Sequence, residues 1–255
     1  MWEQWAPKGL VLLALSDEGS STVEKAVEEH GMVYPVAAGS GAKRAYGVSG
    51  IPAGFLIDHE GNVLWQGHPA SNDWVGLLPD ALARAEAMSD RWDPGERPAE
   101  LADAVEAALE GDMTKTWKTT DTLLRRYAED ADVLAKVEAF RKDFLDRAKL
   151  RTEHVATMTV EGRYQEAADY LDHQLGVWRN TPPAEEWDAL LSTWKKDREI
   201  KGLMALDKKR LDALEKARDG DKEKAQKDLT KLIEKAEGTV LEAVMRDAYK
   251  RVGAM

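Results

Sequence analysis

Cysteine is absent from the 255 residues. That excludes disulfides, thiolate metal sites and any thiol chemistry performed by this polypeptide. Long apolar runs are absent too. No stretch approaches the roughly 18 residues that a membrane-spanning helix needs. Positive charge is in deficit, with 36 Lys and Arg against 47 Asp and Glu, a formal net charge of −11. That argues against general affinity for nucleic acid or for an anionic membrane surface. The opening residues MWEQWAPKG carry no basic region followed by an apolar stretch, so no signal peptide is present as written. What remains is a 33% charged, 43% hydrophobic chain, long enough for one large or two ordinary domains.

The chain is organised around residues 46–69, YGVSGIPAGFLIDHEGNVLWQGHP. Residues 53–57 form a short apolar run. Asp58-His59-Glu60-Gly61 is a turn, and Val63, Leu64 and Trp65 begin a second run of strand formers. An antiparallel hairpin of residues 53–58 and 62–66 is expected. Pro52 stands just before the first strand, where its missing N–H removes no ladder bond.

This segment resembles the thioredoxin superfamily, and within it the TlpA-type thiol–disulfide oxidoreductases and the peroxiredoxin-like domains related to them. The resemblance rests on Tyr46-Gly47-Val48, Gly50-Ile51-Pro52, Phe55-Leu56-Ile57-Asp58, Gly61 and Gly67, and covers roughly residues 2–88. It implies an α/β thioredoxin-like fold with a cis Ile51–Pro52 bond. It also implies that Ile51 and Pro52 stand where relatives offer backbone groups to a bound substrate chain. Relatives work through a Cys-x-x-Cys or a single peroxidatic cysteine at a helix N-terminus, where the dipole lowers the thiol pKa. No catalytic residue, cofactor or metal site can be carried over here.

Trp2 to Ala6 reads as the end of an amphipathic helix. Residues 9–16 read as a strand buried on both faces. Ser21 or Thr22 can cap a helix ending near His30, with Gly31 as its stop. A short extended piece follows around residues 33–36. Gly39-Ser40-Gly41 is a plain loop, and residues 42–46 form a short helix. Residues 72–88 read as a helix in which Pro79 marks either a kink or the first turn. Residues 89–98, SDRWDPGERP, are dense in Pro, Gly and charge and read as a linker. The expected division is a thioredoxin-like domain at 1–88, the linker at 89–98 and an all-α domain at 99–255.

That last region repeats a signature at Gly111, Gly162 and Gly220, with an apolar residue thirteen positions on (Leu124, Leu175, Ile233). Alanine recurs at plus five (Ala167, Ala225) and leucine at plus nine (Leu171, Leu229). EGRYQEAADYL resembles the turn and second helix of a tetratricopeptide repeat. The spacings of 51 and 58 residues depart from the 34 of that family, so helical hairpins are expected rather than a regular array. Residues 184–219 read as a single long helix.

His30, His59, His68, His154 and His173 show no i+2, i+3 or i+4 pairing, so surface or structural roles outweigh metal binding. Ser16, Ser49 and Ser71 lack a nucleophile elbow. Trp2, Trp5, Trp65 and Trp74 belong in or near a first core, and Trp117, Trp178, Trp187 and Trp194 in a second. Asp17-Glu18 and Glu185-Glu186 are explained by capping and solvation. The mixed charges of residues 195–235 describe a solvated helix face.

Two functional readings stand. One is a thioredoxin-fold oxidoreductase whose cysteine motif lies upstream of Met1, which would fit a cell-envelope or periplasmic location. The other is a cysteine-less thioredoxin-like binding module whose helical domain holds a partner protein. Both predict protein partners, no nucleic acid and no membrane span. The resemblance also implies a central strand between the strand at 9–16 and the hairpin. The residues present do not supply it. A visible gap, direct pairing of the two strands, or a strand borrowed from a neighbour is expected, with self-association through the incomplete sheet.

Overall fold

The computed structural model describes residues 2–254. It divides into two compact units, Met1–Glu86 and Ala87–Met255.

In the first unit, α1 (Trp2–Trp5) runs into a 3-10 turn that ends at Gly9, whose φ of 99° lets its N–H return to Ala6 O. Strand β1 (Ala14–Leu15) pairs in parallel with β2 (Val36–Ala37), Ala14 opposite Val36 and Leu15 opposite Ala37. Only the last part of the expected strand at 9–16 therefore joins a ladder, because β2 offers two residues. Helix α2 (Ser20–His30) starts after Gly19 rather than from a Ser21 or Thr22 cap, and no side chain caps it. Gly31 closes it in the left-handed region, as expected. Helix α3 (Ala42–Ala45) leads to the Ile51–Pro52 bond, which is cis.

Strands β3 (Gly54–Ile57) and β4 (Val63–Gly67) form the expected antiparallel hairpin, with Gly54 opposite Gly67 and Leu56 opposite Trp65. Two 3-10 turns, Pro69–Ser71 and Asp73–Leu77, precede α4 (Leu78–Met88). The helix expected over 72–88 thus begins at Leu78. Pro79 occupies its first turn, where a missing N–H costs no helical bond. Strands β1 and β3 lie in separate two-stranded sheets. Of the three outcomes for the sheet, direct pairing of the two strands is not the one taken. The consequence is a thin core. Leu56 and Leu78 are the buried hydrophobic residues among those described here, while Trp2, Trp5, Trp65 and Trp74 are half-buried.

The second unit is helical. After a 3-10 turn at Ala99–Leu101 come α5 (Ala102–Glu110), α6 (Met113–Arg126), α7 (Ala131–Val160) and α8 (Tyr164–Val177). Then follow α9 (Pro182–Lys196), α10 (Arg198–Arg218), α11 (Lys222–Ala236) and α12 (Glu242–Ala254). Gly111, Gly162 and Gly220 sit at the α5–α6, α7–α8 and α10–α11 turns with φ near +80° to +99°. At Gly162 a second demand is added: a Cβ would lie 2.6 Å from Val240 O. Asp112, Asp130, Asp197 and Asp221 each cap a helix N-terminus with a side-chain oxygen.

Two expectations are corrected here. Residues 184–219 are not one helix. Asp197 leaves the helical region at ψ 123° and accepts the Glu199 and Ile200 N–H groups, ending α9 and starting α10. Nor do residues 89–98 behave as a free linker. Trp92 is buried, its N–H donates to Ala108 O, and its ring lies 4.9 Å from that of Phe140. Arg97 pairs with Asp143 at 2.6 Å. Local composition reports the turns of this stretch, but its tryptophan finds a distant core.

Two apolar clusters fill the unit. One gathers Trp92 with Trp117, Phe140, Phe144, Leu171, Trp178 and Trp187, between α5 and α9. The other gathers Leu214, Leu229, Leu241 and Met245, among α10, α11 and α12. All four tryptophans expected in the helical core are buried, as are Ala167, Ala225, Leu171 and Leu229 of the repeated signature.

Candidate functional site

The stretch singled out by resemblance is a loop on a short hairpin. Ile51 is 80% exposed, and Gly50 and Pro52 are exposed beside it. The hairpin behind them is shaped by its far turn and by aromatic rings. Asp58 Oδ1 accepts the N–H groups of Glu60 (2.9 Å) and Asn62 (2.8 Å). Partial burial pushes the Asp58 carboxyl up, but these bonds, with help from His59, outweigh it and hold the pKa below the ordinary value. The Trp65 ring lies against the paired glycines: a Cβ on Gly67 would come 2.6 Å from it, and one on Gly54 3.2 Å. Trp74 packs 6.2 Å from Trp65 and donates to Pro69 O. The Tyr46 and Phe55 rings meet at 4.9 Å with their planes tilted by 50°. Ile51 and Pro52 thus sit, accessible, at the foot of a braced hairpin.

The chemistry available there is limited. No thiol exists anywhere in the chain. No group of three or more metal-ligating side chains occurs among the described residues. His68 Nδ1 accepts the Ala70 N–H, and His59 lies 3.9 Å from Glu60. What this loop presents is exposed backbone and apolar surface.

The second unit holds two buried polar clusters that sequence reasoning missed. Arg151, fully buried on α7, donates to Gln174 Oε1 and to the carbonyls of Ala87, Met88 and Ser89, and lies over the Trp178 ring. Gln174 also donates to Asp90, which meets His173 Nε2 at 2.9 Å. These bonds satisfy carbonyls at the end of α4, which helix geometry leaves without partners. A signal existed. Arg151 continues the apolar stripe Phe140, Phe144, Ala148, Val155, so a cation had to be buried.

The other cluster joins α8 and α10. Asp207, fully buried, accepts the Gln165 N–H at the start of α8 and the Arg210 guanidinium at 2.7 Å. Arg210 also bonds Glu166, which pairs with Arg163 at 2.8 Å. Burial raises the Asp207 pKa and outweighs Arg210 and the Gln165 N–H. Burial also pushes Glu166 up, but Arg163 and Arg210 together bring it below its ordinary value. Within Ala87–Met255 the first cluster ties α7 to α8 through Arg151 and Gln174, and the second ties α10 to α8 through Asp207 and Arg210.

No protein-family model matches the chain, and no solved structure matches it. Two curated proteins do, both named thiol-disulfide oxidoreductase ResA, from Bacillus thuringiensis (strain Al Hakam) and Bacillus anthracis. Each is 36% identical over 69 residues, 26% of this chain and 40% of the relative. The chain spans about two fifths of the length of these relatives. The similarity is consistent with a thioredoxin-superfamily segment.

Proposed function

We propose that this chain is a thioredoxin-like protein of the thiol–disulfide oxidoreductase family that performs no thiol chemistry with the 255 residues in hand. The observation that carries this is a contrast. The chain has a cis Ile51–Pro52 loop followed by an antiparallel hairpin, and is 36% identical to ResA over 69 residues, yet no cysteine stands anywhere. The thiolate is the reacting species in such enzymes, and nothing here replaces it. Residues 1–88 are then the thioredoxin-like domain and residues 99–255, with Trp92 packed into their core, the helical domain built of tetratricopeptide-like hairpins. Ile51 and Pro52 remain the contact point for a polypeptide, through exposed backbone.

A second reading is supported by the extent of the helical unit. Among the described residues of Ala87–Met255 lie the eight helices α5–α12 and two buried polar clusters. Stacked helical hairpins commonly present extended surfaces to protein partners. On this reading the chain is a cysteine-free scaffold that recognises a partner protein. Reading the coding DNA upstream of Met1 separates the two. An in-frame strand ending in a Cys-x-x-Cys supports an oxidoreductase; an in-frame stop immediately before Met1 leaves the scaffold. Activity of the 255-residue chain itself is tested by insulin reduction.

A further inference from the structure

The segment containing β1 has one edge in use and one open. Ala14 and Ser16 donate to Pro35 O (3.0 Å) and Ala37 O (2.9 Å), so the even-numbered residues turn their backbone groups toward β2. Successive residues of a strand alternate. Leu15 in β1 therefore turns its N–H and C=O the other way, and the same alternation carried back through residues 10–13, which precede β1, turns those of Val11 and Leu13 likewise. Among the described residues none of these groups is hydrogen-bonded. The side chains follow the same alternation. Val11, Leu13 and Leu15 are 78%, 58% and 46% exposed, while Leu10, Leu12 and Ala14 between them are half-buried. The period of two runs well past the two residues that β2 pairs.

Soluble proteins usually guard such an edge with lysine, proline or a bulge. Residues 10–15 carry none of these; the charges stand outside, Lys8 before the segment and Asp17 and Glu18 after it. That placement points to the occupant. A second copy of the segment laid antiparallel, with the two-fold axis beside Leu13, sets Val11 against Leu15 and brings Lys8 toward Glu18 of the other copy, twice over. Parallel pairing in register would instead set like charge against like. A foreign apolar strand would satisfy the amides but offer no charge to Lys8, which among the described residues meets only the Trp5 ring at 4.6 Å, or to Asp17 and Glu18.

We propose that this edge is a self-association site, at which a second copy of the chain adds its own residues 10–15 antiparallel to those of the first, centred on Leu13. The interface is isologous and closes as a dimer. Three residue pairs face one another: Val11 with Leu15, Leu13 with Leu13, and Leu15 with Val11. Each exchanges two backbone hydrogen bonds. The result is a continuous strand order β2–β1–β1–β2 across the two copies, with six aliphatic side chains on one face. The inference rests on the cysteine-free scaffold reading, because the strand that the oxidoreductase reading places upstream of Met1 would lie along this edge; the upstream coding DNA tests that reading, and the experiment below tests the edge.

The test uses the full chain. Sedimentation velocity from micromolar to hundreds of micromolar should show a monomer–dimer equilibrium. Leu13→Pro deletes an N–H that serves no bond within the chain, and should weaken dimerisation roughly tenfold or more. Because the chain has no cysteine, single substitutions read the register directly. Leu13→Cys should cross-link to a covalent dimer on mild oxidation. Val11→Cys and Leu15→Cys should cross-link poorly alone and efficiently when mixed. A chain that stays monomeric throughout, a dimer indifferent to Leu13→Pro, or equal cross-linking at all three positions overturns the proposal. Should the proline variant lose its far-ultraviolet circular dichroism, the cysteine series alone decides.

Discussion

Trp92 lies in a stretch whose composition is that of a linker, and its replacement by alanine has a large expected effect. The ring is almost fully buried, 4.9 Å from Phe140 and 6.3 Å from Phe144, with Arg147 over its face at 5.7 Å. Truncating a buried tryptophan to alanine typically costs about 3–5 kcal/mol, through lost transfer energy and the cavity left behind. The two aromatic contacts account for roughly 0.5–1.5 kcal/mol each within that range. An exposed linker residue would cost no more than about 0.5 kcal/mol. The two expectations differ several-fold, so a moderate measurement separates them. Hydrogen exchange by mass spectrometry should be read on peptides covering α7, which carries Phe140 and Phe144. At roughly 1.4 kcal/mol per tenfold, the slowest α7 amides should exchange about a hundredfold to several-thousandfold faster in Trp92→Ala. Exchange within a factor of about two of the parent corresponds to the linker value and would refute the packing argument.

The turn glycines make an internal comparison. Gly162→Ala should destabilise more than Gly220→Ala, by roughly 1 kcal/mol or more in urea titration. Both strain a left-handed residue, but only the former drives a Cβ into Val240 O; equal costs would remove the close approach as a cause. Arg210→Ala should cost about 3–5 kcal/mol by leaving Asp207 buried without its cation. Arg210→Met combined with Asp207→Asn should cost less than Arg210→Ala alone, and a double variant worse than the single would contradict the ion-pair account. The Asp58 pKa is lowered on folding, so its contribution is present in full above the unfolded carboxylate value. It is lost as pH falls through the lower folded value. Nuclear magnetic resonance of the Glu60 and Asn62 amides should therefore titrate below the ordinary aspartate range, and a midpoint at or above that range would show that the turn does not favour the ionised form.

How much of this was legible follows from which interactions are local. The β3–β4 hairpin was readable because Asp58-His59-Glu60-Gly61 fixes its own turn through hydrogen bonds within four residues. The turns at Gly111, Gly162 and Gly220 were readable because positive φ selects glycine. Trp92 was not, since proline and glycine in 89–98 report backbone preference and say nothing of Phe140, far along the chain. The break at Asp197 was hidden in a run of good helix formers, although an aspartate three residues before Ile200 is itself a cap signal. The extent of β1 was hidden for another reason: residues 9–16 are apolar enough for a longer strand, but ladder length is set by β2. At the candidate site, Ile51 and Pro52 came from resemblance, and their exposure came only with the fold. The Arg151 and Asp207 clusters depend on partners 23 and 42 residues away in sequence.

The central claim is that a thioredoxin-like segment is present without thiol chemistry, and dithiothreitol-driven reduction of insulin tests it most directly. The purified 255-residue chain, over a range of concentrations, should leave the onset and rate of insulin B-chain precipitation equal to the blank. Precipitation that quickens in proportion to added chain would contradict the account, because it would require a redox group that this sequence does not contain.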